Sequence, residues 1–390
     1  MAHITTKETS KGTAYIVHWR PQPGSFSKKT HYVKRDAERY KEKVERELAE
    51  GRSTEHLAGR SKTFAQVAEL AMGNVRKQKT MDDYTTALRV HVYPVIGNRR
   101  ISTITASDID KFIDGLRVKP KANGQRRSES SVLGTYRVVS KVFSYAYAHR
   151  LIPFNPCIAV NKPKAETAEA RFLSVDEVNA IAAQLTRQPE YALLVRLAAL
   201  TGLRLGEIAA LRIRDIDLRN GEVQVRRTMT YTSLGYTLDT PKTKRSVRDV
   251  PILDEHLFRD LGLHLRRHPN RTDLEASLWP GKVAGHNAVT YDRRFDPKGF
   301  YRYTFRPAVV RAGLGDLVFH ELRHTFATLA LESGALNMFE LSRAMGHADY
   351  KTTDRTYAHL RKKDYSAHRA RFSQHVAAAS APAPVVALGR

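Results

Sequence analysis

The run SVLGTYRVVSKVFSYAYAHRLI, beginning at Ser131, carries apolar side chains at Val132, Tyr136, Val139, Phe143 and Ala146. Intervals of three and four are helical spacing. A helix this long with one apolar face is marginal alone in water and needs other elements against that face. Pro153 and Pro156 are expected to end it. The preceding residues supply partners. Thr63 with Gln66 resembles a capping box at the head of TFAQVAELAMGNV. Thr80 with Asp83 and Thr105 with Asp108 are expected to open two more helices. Residues 61–163 therefore read as an all-helical domain of about four helices.

The chain has 390 residues, so two or three domains are expected. The segment NKPKAETAEAR, Asn161–Arg171, has no apolar periodicity and reads as a linker. Before the helical domain, residues 1–60 read as a small module. Thr13–Arg20 and a run near Thr30–Val33 are expected strands, with the turn PQPGSFSKK between them. RDAERYKEKVERELAE, Arg35–Glu50, is a charged helix stopped by Gly51. After the linker, Ser174 and Glu177 form another capping box. Helices are expected at YALLVRLAAL, LGEIAAL, Asp254–Arg266, Tyr301–Ala312, around FHELRHTFATL and at Asn337–Met345. Strands are expected at GEVQVRR, GYTL and SVRDVPI. The third unit, 164–375, is thus mixed α/β with mostly helix. The tail, 376–390, lacks periodicity and is expected to be flexible.

Charge narrows the partner. The formal net charge is +25 and the pI about 10.1. Such an excess repels itself in the compact state, and a polyanion would relieve it by counterion release. Within 61–163, Lys and Arg outnumber Asp and Glu by roughly two to one, which fits a face laid on DNA. An incidentally basic surface is the plainer reading. No stretch reaches the roughly 18 apolar residues of a membrane span, and the N-terminus has no apolar signal-peptide core. The single cysteine, Cys157, cannot form an internal disulfide and reads as a buried structural thiol. A reducing cytoplasm is expected.

Four short motifs carry chemistry. In TGLRLGEIAAL, Arg204 falls at a bend between two apolar helices, where a planar guanidinium fork suits a phosphate. The plainer reading is an arginine that reaches solvent or caps carbonyls. In FHELRHTFATL, His320 and Arg323 share a helix face, with His324 one turn from His320. HELRH also fits the zinc pattern H-E-x-x-H, with Glu321 as base. Arg323 inside that motif argues against a dication. In LSRAMGHADYKTTDRTYAHL, His347 follows a helix end and Tyr357 lies ten residues on. A tyrosine oxygen can attack phosphorus, but its free pKa near 10 demands cationic neighbours. Tyr350, three residues after His347, is the rival. With 17 tyrosines in the chain, an ordinary core tyrosine is the plainer reading.

Taken in order, TGLRLGE, HELRHTFAT, MGH and TYAH resemble the tyrosine recombinases of the phage-integrase type, over nearly the whole chain. The resemblance implies a mainly α fold with small β-sheets. It implies a helical core-binding (SAM-like) domain and a mixed α/β catalytic domain, preceded by a small β-sheet-plus-helix module for arm-type DNA. It implies Arg204 and Arg323 as the two phosphate-binding arginines and Tyr357 as nucleophile. His320 is implied for proton transfer with the nucleophile, and His347 for a phosphate hydrogen bond. A catalytic lysine is implied on a hairpin in TPKTKRSVRDVP, at Lys242, with Lys244 as competitor. Glu207 would brace the arginine, and His324 would pack or hydrogen-bond. Met345 stands where Leu is usual. No cofactor or metal is implied. The implied activity is DNA strand exchange through a 3′-phosphotyrosine by a homotetramer. A DNA-bending host factor and an excisionase are family expectations. A type IB topoisomerase-like activity and a non-catalytic DNA-binding regulator are the alternatives.

Overall fold

The computed structural model describes residues 2–10, 12–20, 26–50, 54, 62–120, 124–165, 171–239, 244–283, 286, 288–358 and 366–379. Two compact units emerge, Met1–Ala168 with Tyr231–Gly235, and Glu169–Thr230 with Tyr236–Arg390.

The first unit opens with a three-stranded antiparallel sheet of β1 (His3–Thr9), β2 (Gly12–Trp19) and β3 (Ser27–His31). Helix α1 (Lys34–Ala49) covers it, burying Ala37 and Val44 with Val17 and Trp19. The Trp19 indole N–H donates to Thr54 Oγ1 at 2.9 Å, so this small core keeps no idle polar group on its largest side chain. Strand β1 is not foreseen from sequence. Its HITTKET side chains are nearly all exposed, so no apolar alternation announces it. Strand β3 is as polar and sits earlier than the expected Thr30–Val33 run.

The helical part comprises α2 (Phe64–Met72), α3 (Gln78–Ala87), α4 (Ala106–Val118) and α5 (Glu129–Ala148). The capping boxes of Thr63 and Thr105 both form. The one expected at Thr80 does not. Asp83 pairs with Lys79 at 2.6 Å, and the helix begins two residues before Thr80. Residues Leu88–Gly97 prolong α3 in wider π-type turns around Pro94, whose missing N–H disfavours regular α pairing. Helix α5 buries Val132, Tyr136, Val139, Phe143 and Ala146 as its spacing requires. It ends before either proline, because Arg150 turns left-handed at φ 56° and Leu151 N–H returns to the Ala146 carbonyl at 2.8 Å. Cys157 is buried, and burial pushes its thiol up to about 12.

The second unit starts at α6 (Val175–Ala183), opened by the Ser174–Glu177 capping box. Next come the buried α7 (Pro189–Thr201) and the single turn α8 (Leu205–Ile208). Strands β4 (Ile216–Asp217), β5 (Glu222–Val225) and β8 (Arg248–Pro251) form one antiparallel sheet in the order β4-β5-β8. Strands β6 (Thr228–Thr232) and β7 (Gly235–Asp239) pair between β5 and β8 in sequence. Then follow α9 (Glu255–Arg267), β9 (Pro280–Lys282) and β10 (Val289–Arg294). A composite helix continues through α10 (Pro297–Phe300), a π-type turn and α11 (Arg306–Arg311). Helices α12 (Glu321–Glu332), α13 (Met338–Met345) and α14 (Tyr350–Tyr357) complete the region of interest. Its main core gathers Leu194, Leu197, Val223, Val250, Trp279 and Phe305, while Phe326, Leu341, Met345 and Tyr357 share a second.

Helix α15 (Ser366–Ala379) extends past Val376, where the sequence lost its periodicity. Residues 380–390 lie outside the described residues, as do Gly51 and residues 166–170 of the expected linker. No described helix is long and apolar enough to cross a membrane.

Candidate active site

Helix α7 stops at Gly202, whose φ of +65° is costly for any residue with a Cβ. A Cβ there would also lie 2.5 Å from the Phe326 ring. The turn leaves Arg204 in extended conformation at the head of α8. Its N–H and its Nη1 both donate to the Glu207 carboxylate, at 2.9 Å each.

Glu207 is only 3% exposed and serves a second guanidinium. Arg248 Nη1 and Nη2 donate to its two oxygens at 3.1 and 3.0 Å, a bidentate pair. Burial by itself would raise this carboxyl, but the hydrogen bonds and charges of Arg248 and Arg204 outweigh it and hold the pKa low. Arg248 Nε reaches onward to the Ala344 carbonyl at 2.5 Å, which ties β8 to the end of α13. The expectation that Glu207 braces Arg204 thus describes half of the arrangement. The sequence reading missed Arg248. The signal was present: in SVRDVP, period-two alternation puts Arg248 on the inward face of Val250.

Arg323 lies 2% exposed on α12. Its Nη1 donates to the Gly202 carbonyl at 2.6 Å and its Nη2 to the Met345 carbonyl. One side chain therefore fastens the turn before Arg204 to the helix end before His347. Burial, then the charges of Arg204 and Arg248, press its pKa down to about 9, still charged at neutral pH. Arg204 keeps 39% of its side chain open and is the accessible cation of the set.

Helix α13 is capped by Asn337 with Glu340 and ends at Gly346, φ 63°. His347 follows, and its Nδ1 is paired with Thr353 Oγ1 of α14 at 2.7 Å. His320 occupies the first turn of α12, with its ring edge-on to His324 at 5.2 Å. Burial, then Arg323 and Arg204, push the His347 imidazole down to about 3. Burial, then His324 and the same two arginines, push His320 down to about 4. Two guanidinia, Arg204 and Arg248, share the one Glu207 carboxylate, and the charge of Arg323 acts on the same cluster. The cluster carries surplus positive charge, and an anion such as a phosphate diester would balance it.

The direction has a consequence for stability. When the chain unfolds, His347 regains its ordinary value of 6.5. Between about 3 and 6.5 the unfolded chain then binds a proton that the folded chain refuses. The stability conferred by the neutral buried ring is intact above pH 6.5 and drains away as pH falls toward about 3. Denaturant midpoints measured from neutral to mildly acidic pH should fall less steeply for His347→Gln than for the unaltered chain. Parallel slopes would contradict this account.

Tyr357 closes α14 and is 2% exposed. Burial raises its phenol to about 12, against the lowering effect of Arg323. Its hydroxyl meets His324 Nδ1 at 2.6 Å. His324, expected only to pack or hydrogen-bond, is thus the side chain that touches the expected nucleophile. The rival Tyr350 sits at the other end of α14, 38% exposed, and has no part in this network. Lys242 lies outside the described residues. Lys244 opens a short 3₁₀ turn, Lys244–Ser246. Among the described residues no group of three His, Cys, Asp or Glu side chains is placed to hold a metal. The HELRH histidines instead engage each other and Tyr357.

Comparison with known proteins identifies a family and a fold. Residues 171–364 match the phage integrase family, and residues 72–117 match a phage integrase N-terminal SAM-like domain. The chain is 29% identical over 328 residues to a protein named for the integrase of prophage phiRv2 in Mycobacterium tuberculosis, covering 82% of this chain and 81% of that one. It is 27% identical to the integrase of Mycobacterium phage FRAT1, over 80% of this chain and 86% of the other. Two solved structures share the fold. One is the Tn1549 transposon integrase in complex with a circular intermediate DNA, with TM-score 0.62 and 19% identity over 81% of this chain and all of that one. The other is a lambda integrase tetramer bound to a Holliday junction, with TM-score 0.54 and 19% identity over 89% and 92% of the two chains.

Proposed function

Because the chain belongs to the phage integrase family of tyrosine recombinases, we propose that the cluster around Arg204, Arg323 and Tyr357 breaks and rejoins DNA strands at defined sites. The chain is a site-specific recombinase acting on double-stranded DNA. In our reading, Tyr357 Oη attacks a backbone phosphorus. The bond to the 5′-oxygen breaks, leaving a 3′-phosphotyrosine and a free 5′-hydroxyl. Arg204 and Arg323 stabilise the negative charge that builds on the non-bridging oxygens. His320 and His347 donate to the same phosphate. Lys242 gives the leaving 5′-oxygen its proton. The phosphotyrosine conserves the energy of the diester, so the cycle asks for no nucleotide and no metal.

The observation that carries this reading is the Arg323 side chain. Its hydrogen bonds to the Gly202 and Met345 carbonyls hold three distant sequence motifs at one site beside Tyr357. We also propose that residues 1–60 bind arm-type DNA, 61–163 the core site, and 164–375 form the catalytic domain, with 376–390 a tail. Helix α5 supports the core-binding assignment. Gly134, Arg137, Lys141 and Ser144 form an exposed stripe of small and basic residues opposite its buried face. Four protomers would assemble for four strand cleavages, in the cytoplasm of a host cell. A bending factor and an excisionase would set direction. Incubation with two DNAs bearing its attachment sites should yield recombinant joints. Relaxation of supercoils without joints would favour the topoisomerase-like activity, and binding without cleavage the regulator.

A further inference from the structure

The hydrogen bond between Tyr357 Oη and His324 Nδ1, 2.6 Å long, joins the proposed nucleophile to a residue to which the resemblance gives no catalytic role. The rings stand 5.8 Å apart. Burial, with Arg323 adding to it and Glu321 opposing, holds the His324 imidazole below its ordinary value. It is therefore neutral at neutral pH, with one ring nitrogen bare. The phenol, raised to about 12, keeps its proton. With both groups neutral, the hydroxyl donates to Nδ1 in the tautomer that carries the ring proton on Nε2. The His320 ring stands perpendicular to that of His324, and His320 makes no hydrogen bond to Tyr357 among the described residues. The charged and titratable groups acting on His324 are thus Arg323, Glu321, His320 and Tyr357.

We propose that His324, and not His320, takes the proton of Tyr357 when it attacks DNA. The proposal rests on Tyr357 being the nucleophile. As the Oη–P bond forms, the Oη proton passes to His324 Nδ1. The P–O5′ bond breaks, and the 5′-oxygen is protonated by the general acid. In the rejoining step a 5′-hydroxyl attacks the phosphotyrosine and gives its proton back to the conjugate base of the general acid, the P–Oη bond breaks, and the imidazolium returns its proton to Oη. Protons and bonds balance in both directions. Glu321 favours the transient imidazolium, and His320 is left to hydrogen-bond the phosphate.

The test is single-turnover formation of the covalent protein–DNA adduct by the full chain. One DNA is ordinary. The other carries sulfur in place of the bridging 5′-oxygen at the cleaved bond, which relieves the need for a general acid only. His324→Asn places an amide oxygen near the Nδ1 position, so it can keep the hydrogen bond but cannot take the proton. His324→Gln guards against a geometric artefact, and DNA binding by each variant reports folding. Both variants should slow adduct formation about 100-fold on both DNAs. Both should lose the acid-side limb of the pH–rate profile, which His320→Gln should retain. Near-normal rates with His324→Asn would overturn the proposal and leave His324 a packing residue. Loss of the limb in His320→Gln alone would overturn it in favour of His320. Adduct formation by Tyr357→Phe would instead sink the nucleophile assignment beneath it.

Discussion

Tyr357→Phe should abolish the covalent DNA adduct and recombination together, while DNA binding survives. The change removes one oxygen and keeps the ring that packs with Phe326, Leu341 and Met345. The lost hydrogen bond to His324 costs about 1 kcal/mol, too little to unfold a domain with this core. Without that oxygen no phosphotyrosine can form, so loss of activity is complete and not graded. Tyr350→Phe, on an exposed residue at the far end of α14, should behave as the unaltered chain. A DNA-binding assay beside an adduct assay separates the outcomes. Loss of binding in Tyr357→Phe would mean that the hydroxyl holds the site together.

Arg248→Met should be the most destabilising single change at the site. Arg248 and Glu207 are 8% and 3% exposed, and their pairing is bidentate. Removing the guanidinium takes two hydrogen bonds from the buried Glu207 carboxylate, which keeps those of Arg204, and frees the Ala344 carbonyl. Breaking such a pair from one side costs about 3–5 kcal/mol. The double variant Arg248→Met with Glu207→Gln removes the charge as well and should recover part of the loss. Trp279, buried in the main core of this unit, gives a fluorescence signal for denaturant unfolding once Trp19 is replaced by Phe. A single variant within about 0.5 kcal/mol of the unaltered chain would show that the pair is dispensable.

Much of the fold is legible in the sequence where burial imposes a period. Helix α5 follows its apolar spacing, and the capping boxes at Thr63, Thr105 and Ser174 form where each N-cap residue directly precedes its helix. Thr80 fails because the helix begins two residues earlier, at Gln78, which leaves Thr80 inside it. Strand β1 escapes notice because a sheet edge with exposed side chains needs no apolar code. At the site, Arg204, His320, Arg323, His347 and Tyr357 are individually visible as motifs. Their mutual bonding is not. Arg323 acts through backbone carbonyls, which any sequence supplies. His324 depends on where α14 lays Tyr357, a long-range placement that local spacing cannot encode.

Tyr357 is expected to bond covalently to DNA. Trypsin separates the two rival tyrosines, since Tyr350 falls in the peptide Ala344–Lys351 and Tyr357 in Thr356–Arg361. Trapping the chain on attachment-site DNA, digesting both polymers and sequencing the nucleotide-bearing peptide by mass spectrometry reads the answer directly. The modification should reside on Tyr357. A nucleotide on Tyr350, or on any other residue, would contradict the account.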